Sequence, residues 1–159
     1  MKRISVRAAA IIATTALLVS VQAIPAPAAV YSGACTLSKV KFKTSDSLRS
    51  TTSTSWVNVP DMSISFTVNT TTCLKIEFSA QVKTAANESL QVRALLDGVT
   101  DLYPAITTFA QNQTSWGSHA FNFGFTTVVA GSHTLKIQWG SGGGGSVSMT
   151  SRSLFVHYQ

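Results

Sequence analysis

Segment after segment of this chain alternates apolar with polar residues, the period of a strand with one buried face. The cleanest spans 74–83. Leu74, Ile76, Phe78, Ala80 and Val82 point one way, and Lys75, Glu77, Ser79, Gln81 and Lys83 point the other. Similar rows occur at Met62, Ile64, Phe66 and Val68, and at Leu90, Val92, Ala94 and Leu96. Three more segments close the chain, at 119–125, 133–139 and 153–158. They place Phe121, Phe123, Phe125 and Trp139 in the core, with His157 out of phase and facing outward.

The punctuation fits the same picture. Asp97-Gly98 is a hairpin signal and Ala130-Gly131-Ser132 a tight turn. Pro60 cannot donate to a ladder, so the strand around it begins after it or bulges there, with Trp56 at the core rim. Five of the seven residues in 140–146 are glycine, which reads as a flexible connection. Residues 99–117 form the longest irregular stretch, with room for a short strand at 106–109. The expectation is an all-β, antiparallel, jelly-roll-like β-sandwich of about seven to eight strands. No fixed repeat and no amphipathic helix interrupts it.

Residues 37–44 alternate Lys39, Lys41 and Lys43 against Val40 and Phe42. This reads as an edge strand whose lysines discourage edge-to-edge association. The functional alternative is a basic stripe for an anionic polymer such as teichoic acid.

The N-terminus changes the compartment. Lys2, Arg3 and Arg7 precede a modest apolar run at 8–21, followed by small-residue cleavage sites. Residues 1–28 therefore read as a secretory signal peptide of bacterial style, cut after Ala23 or Ala28. Residues 29–159 then form a single β-sandwich domain, with no stable membrane span after cleavage. Removal takes three of twelve basic residues and none of the six acidic ones, so a whole-chain charge of +6 falls to +3. That is too mild and too dispersed for nucleic acid. In an oxidising compartment Cys35 and Cys73 should pair, and the 28-residue leader is too distant from Cys35 for lipidation. Sequons at Asn69, Asn87 and Asn112 carry no glycosylation expectation under a bacterial signal.

The turns and core positions carry a resemblance. Trp56-x-x-Val59-Pro60-x-Met62, Phe78-Ser79-Ala80, Asp97-Gly98, Gly131-Ser132-His133-Thr134 with Gln138-Trp139, and Arg152-Ser153-Leu154-x-Val156 resemble a recurring jelly-roll-like domain of secreted and surface proteins. The family's function is uncharacterised. The resemblance implies architecture and carries no catalytic residue across. The Gly-x-His-Thr turn is also similar to one in carbohydrate-binding sandwiches.

Candidate chemistry is sparse. If the strands on either side of the Gly131 turn pair with each other, His119 and His133 lie at opposite ends, roughly 30 Å apart. With His157 facing outward, no metal or cofactor is expected. Asp97 and Asp101 flank a turn and could grip Ca²⁺, although a turn residue and a solvated carboxylate explain them as well. No Gly-x-Ser-x-Gly elbow accompanies the many serines, and the glycine run lacks the Lys-Ser/Thr of a phosphate loop, so no enzyme is expected. Tyr103, Phe109 and Trp116 lie among Asn, Gln and Thr and form the candidate ligand-binding set. The expected role is non-catalytic binding of a surface polysaccharide or protein partner. A structural, homo-oligomerising jelly roll is the alternative, suggested by an outward Phe155.

Overall fold

The computed structural model describes residues 35–159, apart from the side chains of Phe125 and Thr126. The signal-peptide segment 1–28 and the side chain of Phe125 thus fall outside the described residues. Among the described residues, ten strands form two five-stranded antiparallel sheets. They are β1 (Lys39–Ser45), β2 (Arg49–Thr51), β3 (Val57–Val68), β4 (Thr72–Thr84), β5 (Ser89–Leu96), β6 (Thr100–Asp101), β7 (Thr107–Gln111), β8 (Gly117–Val128), β9 (Gly131–Ser141) and β10 (Val147–Tyr158). The first sheet runs β1-β10-β4-β8, with β2 also on β10; the second runs β3-β9-β5-β6, with β7 also on β5.

The architecture is the expected sandwich, but the strand count is higher. β2, β6 and β7 are too short to show a period, and β7 covers the strand expected near 106–109. The long strands β3, β4, β5, β8, β9 and β10 alternate between the two sheets. Each buries one apolar row against the other sheet. Leu74, Ile76, Phe78, Ala80, Val82, Leu154 and Val156 face Phe66, Leu90, Val92, Leu135, Ile137 and Trp139 across one continuous core. Burying each such side chain contributes on the order of 2 kcal/mol.

Two bulges shape one seam of the sandwich. At Pro60-Asp61 the β3–β9 register shifts, with Asp61 at φ 67°. At Ser151, φ 44°, the β10–β4 register shifts likewise. The second bulge turns Arg152 inward, where it is 1% exposed. Its guanidinium donates to the Met149 carbonyl at 3.1 Å and to Ser45 Oγ at 3.0 Å, and lies 4.0 Å from the Asp61 carboxylate. Lys41 and Lys43 close the same seam by donating to the Ser65 and Ser63 carbonyls of β3. β1 does lie at a sheet edge, yet these two lysines cap the neighbouring edge across the seam while Val40 and Phe42 face solvent.

Cys35 is bonded to Cys73, with the Cα atoms 6.0 Å apart, which ties the segment before β1 to the start of β4. The closed loop spans 38 residues, and such a loop restricts the unfolded chain by about 4 kcal/mol in the chain-entropy account. Reduction should therefore lower the melting temperature markedly. Thiol titration of the unreduced protein in denaturant checks the premise and should find no free thiol.

Candidate functional site

One end of the first sheet carries a groove of about 310 Å³ lined by Leu48, Lys83, Thr84, Ala85, Trp116, Ser146 and Ser148. Lys83 and Ser148 are register partners on β4 and β10, on the face of the sheet away from the core. Leu48 and Trp116 form the walls, the indole 45% exposed.

The groove is built from fixed pieces. Trp116 sits at the end of a short segment pinned to β4 through Gln113. The Gln113 amide donates to Thr84 Oγ1 at 2.8 Å, the Thr84 amide donates to the Gln113 carbonyl at 2.7 Å, and Gln113 Nε2 donates to the Ser115 carbonyl. The Leu48 wall is set by Thr150 Oγ1, which donates to the Asp46 carbonyl, and by the Ser50–Ser148 hydroxyl pair at 2.8 Å. The Ala85 amide donates to the Ser146 carbonyl at 2.8 Å and joins the two sides of the floor.

Behind that floor lies a buried carboxylate. Glu88 Oε1 accepts the amides of Ser89 at 2.8 Å and Gly143 at 2.7 Å, and Oε2 accepts the amide of Gly145 at 2.6 Å. The run at 140–146 is therefore not a flexible connection. Its glycines wrap the carboxylate so closely that a Cβ on Gly145 would lie 2.8 Å from Oε2, and Gly144 holds φ +88°. A Cβ on Gly142 would collide with Ser89 Oγ. The Ser89 amide, followed by those of Gly143 and Gly145, outweighs the cost of burial and holds Glu88 at a pKa of about 2.

The histidines are dispersed in a different way from that expected. β8 and β9 do not pair: β8 lies beside β4 and β9 between β3 and β5, so the Gly131 turn crosses from sheet to sheet. His119 packs its ring on Phe109, and His157 faces outward 3.7 Å from Glu77. His133 is buried, with Nδ1 2.7 Å from Asp97 Oδ2 and Nε2 2.9 Å from the Val129 carbonyl. Both partners are acceptors, so both hydrogen bonds are made together only when each ring nitrogen carries a proton and the ring is charged. Burial opposes that charge, but the bonds to Asp97 and Val129 raise the His133 pKa, while Asp97 is lowered despite its own burial. The Ca²⁺ alternative loses its ligands here. Asp97 also accepts the Thr134 amide, and Asp101 pairs with Arg93 at 3.3 Å. Arg93 stacks over the Trp56 ring at 4.7 Å.

The three aromatic candidates do not converge. Phe109 lies on β7 at 5% exposure, packed on Phe78. Tyr103 is bridged to Gly124 of β8, seven residues from Gly117, which places it roughly 20 Å from the Trp116 end. Only Trp116 meets the groove. The residues that complete it, Leu48, Lys83, Ser146 and Ser148, had no sequence signal beyond the outward phase of Lys83. The pairing of β2 and β4 with β10 is what gathers them.

These features define the class: a disulfide-bonded, jelly-roll-like antiparallel β-sandwich. No known family and no curated protein matches the sequence. Among solved structures the chain is similar to VP2 of infectious bursal disease virus, with 19% identity over 75% of this chain and 32% of that one, TM-score 0.43. It is also similar to the sugar-binding C-terminal domain of EclA, with 12% identity over 84% and 88% of the two chains, TM-score 0.36. A third is a carbohydrate-binding module of Cellvibrio mixtus lichenase 5A, solved with cellotriose, at 13% identity over 74% and 88%, TM-score 0.36. The chain spans about a third of the viral protein. The likeness is one of architecture alone.

Two pH effects follow, of opposite sign. Glu88 has a depressed pKa, so its contribution is present above the ordinary value of 4.5 and is lost as pH falls through about 2. Glu88→Gln should lower the unfolding midpoint at neutral pH and flatten its acid dependence, read by denaturant melts across pH. His133 has a raised pKa, so its contribution is present below 6.5 and is lost as pH rises through the folded value. An NMR titration of the imidazole should place His133 above the ordinary histidine value of 6.5.

Proposed function

We propose that this chain is an exported, non-catalytic β-sandwich that holds a surface glycan or protein partner in the groove beside Trp116. The observation that carries the reading is the indole itself. It stands 45% exposed over a groove whose walls are pinned by hydrogen bonds and whose floor offers hydroxyls. A flat aromatic face takes an apolar ligand surface, and neighbouring hydroxyls fix its orientation at little desolvation cost. A disulfide and a signal-like N-terminus support export. Among the described residues, the groove lining offers no carboxylate or imidazole to activate its serines, which supports binding over catalysis.

The test pairs two measurements on wild type and Trp116→Ala. Because the indole is half out of the structure, its removal should cost only about 1 kcal/mol or less in unfolding experiments. Retention on whole cell-wall and polysaccharide preparations should be lost. Large destabilisation, or unchanged retention, would remove the groove as the site.

A second reading, a self-associating jelly roll, is favoured by one feature. Phe42 is 67% exposed and stacks on Phe155 at 5.6 Å on the outside of the first sheet. If that pair joins copies, light scattering should find an oligomer that Phe42→Ser converts to monomer. A monomeric wild type ends that reading.

A further inference from the structure

The β1 lysines, weighed above for an anionic polymer, are turned to other partners. Lys41 and Lys43 donate across the seam to β3, Lys39 lies 5.9 Å over the Tyr158 ring, and Lys75 pairs with Glu77 at 2.7 Å. Lys83 lines the groove beside Trp116, and among the described residues no carboxylate pairs with it. Glu88, behind the floor, keeps its negative charge but directs its oxygens at three amides and forms no ion pair with Lys83.

We propose that the groove takes an acidic polysaccharide. The inference rests on the reading of the groove as a binding site and names what it binds. The C–H face of a sugar ring stacks on the Trp116 indole. An anionic substituent on that ring receives a charge-assisted hydrogen bond from the Lys83 ammonium. Ser146 and Ser148 exchange hydrogen bonds with ring hydroxyls. A neutral sugar offers the exposed ammonium only hydroxyl acceptors, a weaker match than an anionic substituent. The strands under the groove, β4 and β10, are each paired on both sides, so an extended peptide finds an open edge only at the groove's flanks, on β2 and β8. One lysine is far short of the basic stripe that nucleic acid requires.

The test is affinity electrophoresis of the purified protein through gels holding polygalacturonate, dextran sulfate or a phosphodiester-bearing phosphomannan, with dextran and xylan as neutral polymers. At least one acidic polymer should retard the protein, and which one does so distinguishes carboxylate, sulfate and phosphodiester. Lys83→Gln should weaken that binding about fivefold or more, Lys83→Arg should keep most of it, and Trp116→Ala should abolish it. Lys136→Gln, on the outward face of β9 in the other sheet, should leave it unchanged. Matched unfolding midpoints show that the variants are folded. Binding to neutral polymers that is indifferent to Lys83→Gln overturns the acidic ligand and leaves the groove standing. Equal losses in Lys83→Gln and Lys136→Gln reduce the effect to diffuse charge and overturn the proposal. No Trp116-dependent retardation by any polymer overturns the groove as a glycan site as well.

Discussion

A carboxylate enclosed by backbone amides holds one end of this sandwich together. Glu88 gathers three segments that are far apart in sequence. Its side chain takes the amides of Gly143 and Gly145 from the β9–β10 connection, and its carbonyl accepts the Asn112 amide at 2.8 Å from the segment that leads to Trp116. Its own turn runs back to Ala85 on the groove floor. Glutamine is a poor substitute there, because with its oxygen at the Ser89 and Gly143 amides its NH₂ would face the Gly145 amide and leave that donor without an acceptor. The shape of the groove is thus set by a residue that does not line it.

The opposite arrangement closes the seam between β1 and β3. There cations meet carbonyls: Lys41 and Lys43 from one edge, and Arg152 from beneath. Two residues with positive φ, Asp61 and Ser151, make that meeting geometrically possible. Asp accepts such a conformation more readily than Ser, so the β10 bulge is the more strained of the two. The Arg152 Nε is buried without a hydrogen-bond partner, and the guanidinium there relies on Ser45, Met149 and a distant Asp61. Edge protection and sheet closure are achieved by the same side chains.

Much of the fold was legible because burial in a strand leaves a period of two. The rows of β3, β4, β5 and β9 read directly, as did the Asp97-Gly98 hairpin, where both residues have positive φ. What escaped was long-range. Val147 and Met149 continue the inward row of β10 past the Ser151 bulge, but the bulge breaks the period and hides the first half of the strand. The glycine run carried no mark of its carboxylate, because Glu88 lies more than fifty residues away. Phe109 shared its polar neighbours with Trp116 yet is core, since composition does not report which way a short strand turns. Of the candidate site, Trp116 was visible in the sequence; its companions became visible only through strand pairing.

The alternation of long strands between the sheets bears on how the molecule reaches this state. β3 and β4 are neighbours in sequence yet lie in different sheets, as do β8, β9 and β10 in turn. Among adjacent strands, β5 and β6 alone zip up as a local hairpin. Nearly every other ladder must wait for a partner to return from a distance, and each such closure costs chain entropy before any contact rewards it. A chain of this topology folds on the slow side for its size. Until β10 arrives, β4 and β1 both present unpaired amides and carbonyls to their surroundings. The tenth of the described strands is thus the one that seals the first sheet.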